Sequence, residues 1–313
     1  MESLRVALNA VVPFIIYLAF GYILRRAGIL DEAFAKKINR FIFKGFFPIM
    51  MFRSMYSMEH GSGTRPAFMA LLAAAILAVI FLGILIVPRF EKEDGRIGVI
   101  VQALYRSNTV LFWIPLATSV LGETAGNRAA LLLAVTVPLY NFAAVILLSH
   151  YGHITGESVG EKIRDILTNP LISGSIVGLI VWGTGIKLPS VVLTPINAVA
   201  DMTTPLAIII LGAIIKFASM KNNLKYHVAV IAVKMLLIPL ALLGLSFVLD
   251  LSSFERFMLV TLFAVPDATA CFNMAYSMNC DGDLAGELVV STTVISLAVL
   301  FMWIFLLKFF ALI

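Results

Sequence analysis

LFAVPDATACFNMAY, Leu262 to Tyr276, sets a proline and a carboxylate side by side inside an otherwise apolar run. A charge at bilayer depth costs about 2.5–3.5 kcal/mol on insertion scales. Pro266 also removes a backbone donor and disfavours helix at Val265. Two penalties in adjacent positions point to a helix broken within a membrane for a functional reason. If helix restarts beyond Pro266, Asp267 stands where orphan amides and the positive end of the dipole favour a carboxylate. Asp267 is therefore read as a cap for the second half-helix, as a site whose proton or sodium occupancy gates movement, or as both.

The composition fits that setting. Of 313 residues 61% are hydrophobic and 13% charged, about half the charged share of a soluble domain. The net charge of +5 lies in short loops between apolar runs, which reads as orientation signals rather than a nucleic-acid footprint. Cys271 and Cys280 are too few for a disulfide framework and have no zinc-ligand spacing. MESLRVALNAVVPF has neither a basic n-region nor a small-residue cleavage site, so the first span is expected to be kept.

About 20 apolar residues cross a bilayer. That length predicts ten spans near 4–24, 33–55, 66–88, 96–120, 129–149, 169–187, 190–216, 226–249, 255–279 and 286–309. Five contain polar groups close to prolines: Lys44 before Pro48, RSNTVLFWIP (Arg106 to Pro115), Asp201 before Pro205, Lys234 before Pro239, and Pro266-Asp267. With Lys44, Arg106 and Lys234 set aside as span-interior, thirteen Lys and Arg residues lie in or near the loops after spans 1, 3, 5 and 7 and seven toward the opposite side. Basic residues favour the cytoplasmic face, so both termini are expected outside it.

A sparse internal repeat runs through the chain. At an offset of 157, Pro13, Gly21, Gly28 and Pro48 match Pro170, Gly178, Gly185 and Pro205, and Lys44 falls opposite Asp201. At 159, Ser107-Asn108 falls opposite Pro266-Asp267. Five spans per half means that the halves enter from opposite sides. The fold class is thus an all-α polytopic membrane protein of two inverted five-helix repeats. Matching broken helices in such repeats mark a transporter's binding site.

The candidate site residues follow. Ser107, Asn108 and Thr109 supply hydroxyls and a carboxamide able to hold a carboxylate or to bridge freed backbone groups. Asn273 follows Asp267 in the ninth span. Lys234 either pairs with Asp267 or attracts an anion, and intramembrane charges usually pair. Arg106 is placed near the cytoplasmic mouth, where it would attract anions. Lys44 and Asp201 are expected to form a salt bridge between the repeats or to snorkel to an interface. His150, His153 and Glu157 read as a solvated loop and not as a metal site. No G-x-S-x-G, H-E-x-x-H or Walker A pattern occurs, so no enzyme and no ATP-driven pump is expected. An aspartyl dyad would need Asp201 and Asp267 in contact.

RSNTVLFWIP, VPLYNFAAVILL, TPLAIIILGAII and the run from Leu262 to Leu297 resemble the auxin efflux carrier family, in order and spacing along essentially the whole chain. That family includes the plant PIN carriers and bacterial carriers of malate, malonate and similar acids. The resemblance implies ten spans, a fold similar to bile-acid symporters, and fourth and ninth helices that unwind and cross. It implies a scaffold (1–65 and 169–218) facing an elevator-like transport domain (66–149 and 219–313), with 150–168 as the inter-repeat loop. Asn108 then falls at the first crossover, Pro266 at the second, and Asn141 in the P-L-Y-N motif. Only Ser149 to Thr168 separates the halves, which implies a compact bacterial-type carrier. The expected partners are a small organic anion, the bilayer and a second copy through the scaffold, without nucleic acid. No cofactor is expected beyond a coupling proton or sodium ion. The alternative is a cation/proton antiporter with Asp267 as ion ligand.

Overall fold

The computed structural model describes residues 2–57, 64–152, 169–216 and 219–313, with side chains described from Val11 onward. Among the described residues there are thirteen helices and no strand beyond one isolated bridge. They are α1 (Glu2–Arg26), α2 (Glu32–Phe41, continued by Ile42–Phe46 and Phe47–Tyr56), α3 (Pro66–Phe90), α4 (Asp94–Tyr105), α5 (Thr109–Leu121) and α6 (Glu123–Tyr151). Then come α7 (Pro170–Thr184), α8 (Ser190–Ile214), the single turn α9 (Ser219–Asn222), α10 (Leu224–Val248), α11 (Ser253–Ala264), α12 (Ala270–Ser277) and α13 (Gly282–Phe309). Among the described residues α3, α6, α8, α10 and α13 are long and apolar enough to cross a membrane.

Three helices widen into a π turn, and each time a proline explains it. Ile42–Phe46, Thr109–Trp113 and Ile231–Leu237 precede Pro48, Pro115 and Pro239, which open the following α segments. A proline inside a helix lacks its N–H and clashes with the carbonyl four residues back. Those carbonyls belong to Lys44, Leu111 and Met235, all within the π turns. The wider turn relieves the clash. Met235 O, deprived of its helical donor, receives the Trp303 Nε1–H at 2.8 Å.

Glycines fix the closest helix pairs. α1 lies against α8 and α2 against α7. A Cβ on Gly178 of α7 would fall 2.8 Å from Met55 Cβ, and one on Gly212 of α8 would fall 2.9 Å from the Leu18 carbonyl carbon. Small residues let membrane helices approach this closely. Two apolar cores result. One joins α3, α4, α5, α6, α10, α11 and α13 around Trp113, Phe257 and Phe263. The other joins α1, α2, α7 and α8 to the inner faces of α6, α12 and α13.

The free thiols Cys271 and Cys280 lie on α12 and just past it. His150 lies in the last turn of α6 with its ring 4.8 Å from that of Tyr151, while His153 and Glu157 lie outside the described residues.

Candidate functional site

Two helix breaks meet in the interior. α4 stops at Tyr105 and Arg106 is extended (φ −89°, ψ 102°). α11 stops at Ala264 and Val265 is extended (φ −73°, ψ 154°), the conformation that Pro266 imposes on its predecessor. The breaks pair antiparallel at Ser107 and Asp267. Asn108 N–H donates to Pro266 O at 2.8 Å, and Ala268 N–H donates to Arg106 O at 3.4 Å. Each break thus satisfies backbone groups that the other has freed, which is what buried backbone requires.

Side chains brace the crossing. Lys234, fully buried in the π turn of α10, forms an ion pair with Asp267 and donates to Arg106 O at 3.3 Å. Asp267 N–H donates to Thr292 Oγ1 at 3.2 Å. The pairing of Lys234 with Asp267 is the expected one, but the capping role is not found. α12 begins after Thr269 and has no side-chain cap. Asp267 is instead held toward the ammonium, because a buried carboxylate gains more from a full opposite charge than from partial charges on amides.

A cavity of about 650 Å³ opens beside the crossing. Arg106, Ser107, Asn108, Thr109, Asn141, Pro115 and Asp201 line it, together with Arg53, Tyr17, Tyr140 and Thr269. Pro266, Asn273, Lys234, Asp267 and Lys44 are not on its wall. Asn273 instead donates back to Thr269 O at 3.2 Å.

Arg106 is buried rather than exposed at a mouth. Its Nη1 donates to Tyr140 O at 3.1 Å and its Nη2 to Asn141 Oδ1 at 2.8 Å, while Nε has no partner. Among the described residues it has no carboxylate partner. Asn141 Nδ2 reaches Met51 Sδ at 2.8 Å. Asn108 Oδ1 caps α5 by accepting from Leu111 N–H at 3.3 Å. That leaves its Nδ2 as a donor at the wall. The first residues of α5 and α12 also face the cavity, and helix N-termini favour anions. With Asp267 neutralised by Lys234, the charge left beside the crossing is the guanidinium of Arg106.

Asp201 is ion-paired with Arg53 and not with Lys44, which is exposed. Asp201 and Asp267 each have their own cation, so they form no dyad. Sequence reading missed Arg53, Tyr17 and Tyr140. The signal for Arg53 in the sequence is an arginine inside the apolar run FPIMMFRSMY.

Apolar helices around a cavity that carries a buried arginine, at two paired helix breaks, are features of a membrane transport protein. The chain belongs to the Membrane transport protein family, that of the auxin efflux carriers, matching it over residues 6–164 and 154–304. It is also similar to an uncharacterized transporter of Methanocaldococcus jannaschii, 24% identical over 306 residues that cover 95% of this chain and 98% of that one. A second uncharacterized transporter, from Methanothermobacter thermautotrophicus, is 22% identical over 299 residues, 94% and 96% of the two chains. The protein is accordingly a multi-pass membrane transporter and not an enzyme.

Proposed function

We propose that this transporter is a secondary carrier of small organic anions, carboxylates above all, working by alternating access. The observation that carries this reading is Arg106, a buried guanidinium on the cavity wall without a carboxylate partner. A carboxylate in the cavity would meet its positive potential, the Asn108 Nδ2 donors and two half-helix N-termini. Planar guanidinium matches planar carboxylate better than any other side chain does.

In this reading the chain crosses the membrane ten times as two inverted five-helix repeats, the α4–α5 and α11–α12 pairs each making one crossing. Helix packing supports it. The α1–α8 and α2–α7 contacts are exchanged by a two-fold operation, and the repeat partners Gly21 and Gly178 occupy equivalent contacts, on Ile209 and Phe52. The scaffold is α1, α2, α7 and α8, and the remaining helices move against it. Both termini lie outside the cytoplasm. The Asp267–Lys234 pair disfavours the antiporter reading, since an internal ammonium already occupies the carboxylate.

The test is a thermal-shift screen of the purified protein in detergent against mono- and dicarboxylates, indole acids and sodium, beside Asn108→Ala. A ligand at about 100 times its Kd stabilises by roughly 2.7 kcal/mol. A carboxylate that stabilises the wild type and not the variant is the expected result. A response to sodium alone would replace this reading with ion exchange.

A further inference from the structure

A second buried ionisable cluster lies away from the cavity, where the connector between α8 and α10 meets α13. Glu287 of α13 is 1% exposed. Its Oε1 accepts from Ser219 Oγ, and its Oε2 accepts from Asn223 Nδ2 at 2.8 Å and from His227 Nε2 at 3.3 Å. His227, itself buried, has Nδ1 2.9 Å from Ser291 Oγ, and that hydroxyl also reaches Leu288 O at 3.2 Å. Ser219 and Asn223 of the connector and His227 in the first turn of α10 therefore converge on one carboxylate.

The chemistry allows two protonation states in one heavy-atom arrangement. A carboxylate only accepts, so His227 Nε2 carries a hydrogen in either state. With neutral imidazole, Nδ1 accepts the Ser291 hydroxyl. With imidazolium, Nδ1 donates to Ser291 Oγ and the hydroxyl turns to Leu288 O. A rotating hydroxyl hydrogen is enough to admit the proton, and no donor or acceptor is stranded.

We propose that His227 and Glu287 form a proton-binding centre, separate from the cavity, which pins the α8–α10 connector to α13 more tightly when it is protonated. With imidazolium both partners of the His227–Glu287 bond are ionised, which strengthens a bond that the carboxylate alone already makes charge-assisted, and burial keeps water from competing for it. Protonation of the imidazole tightens the pin, and protonation of Glu287 would loosen it. The ionisable groups on the elements packed around the centre are largely engaged elsewhere. Arg96 pairs with Glu93 and Asp281, Lys216 with Glu32 and Asp283, and Glu91 bonds Tyr226. Lys225 lies over the Tyr226 ring. Asp94 on α4 and Lys221 on α9 complete the set. The proposal does not depend on which solute is carried.

The test places a nitroxide on the exposed connector through Lys221→Cys, in full-length protein carrying Cys271→Ala and Cys280→Ala. Its mobility is read at pH 5.5 and 8.0, on either side of the ordinary imidazole range. The immobilised component is expected to be larger at pH 5.5 than at pH 8.0. His227→Gln, which keeps a donor for Glu287 but cannot take a proton, should make the spectra pH-independent. Equal spectra at the two pH values in the parent, or an unchanged pH response in His227→Gln, overturns the proposal. Should that variant misfold on size exclusion, Ser291→Ala removes only the rotating hydroxyl, and a difference between the two pH values equal to the parent's overturns it equally.

Discussion

Lys234 and Asp267 are ion-paired behind the crossing of the two helix breaks, and both are sealed from solvent. The ammonium also donates to Arg106 O on the opposite break. One lysine therefore ties α10 to both halves of the crossing.

Removing one partner of such a pair leaves an uncompensated buried charge, at a cost of about 3–5 kcal/mol. Asp267→Asn is expected to lower stability on that scale, and Lys234→Met combined with Asp267→Asn by clearly less than the sum of the single changes. Denaturation of all three variants in detergent gives the double-mutant cycle. Additive effects would show that the two side chains do not act as a pair.

Gly178 should tolerate no side chain. A Cβ there meets Met55 Cβ at 2.8 Å and Phe52 Cα at 3.1 Å, whereas one on Gly183 of the same helix meets nothing within 4 Å. Gly178→Ala is expected to cost about 1–3 kcal/mol by overpacking. Gly183→Ala should be neutral or slightly stabilising, since alanine is the better helix former. Melting temperatures of the two variants decide it.

Glu91 makes stability depend on pH outside the membrane. Burial works to raise its pKa, but bonds from Tyr226 and from the backbone N–H groups of Glu93 and Lys92 outweigh it and hold the carboxyl below its ordinary 4.5. A lowered folded-state value means a contribution that is present at neutral pH and lost as pH falls through the carboxylate range. The melting-temperature gap between wild type and Glu91→Gln should therefore be open at pH 7 and close as pH drops below about 4.5. A gap that stays constant to pH 3.5 would contradict this.

Asp201 is expected to matter for binding more than for stability. Its side chain is 68% exposed beside Arg53, and exposed ion pairs contribute about 0–1 kcal/mol. Asp201→Asn should leave the melting temperature nearly unchanged and free Arg53 for a carboxylate in the cavity. Tighter carboxylate binding in the thermal-shift titration is the expected outcome. Weaker binding would mean that Asp201 contacts the ligand or its coupling ion directly.

Much of the frame was legible because it depends on local chemistry. Length and apolarity mark α3, α6, α8, α10 and α13. The prolines at 48, 115 and 239 each follow a π turn, but Pro13, Pro138, Pro195 and Pro205 lie within α-helices without one, so the π turns were not legible from proline alone. Polar RSN and Pro266-Asp267 mark the two breaks, and an offset of 159 matches Ser107 to Pro266, one residue from its bridge partner Asp267.

What lay beyond the sequence was direction around the helix axis. Sequence offset gives depth along a helix, but each residue turns the side chain by about 100°, and the π turn at Ile42–Phe46 shifts that register again. Lys44 and Asp201 match by offset, yet Lys44 is exposed and Arg53, nine residues on, reaches Asp201. Arg106 and Asn108 are two residues apart, yet one is held by Tyr140 and Asn141 of α6 while the other caps its own helix. The sequence by itself determined an all-helical membrane chain with two breaks and charges near them. Only the packing decided which charges cancel and which one is left at the cavity, because a buried charge is settled by whichever partner the neighbouring helices bring within reach.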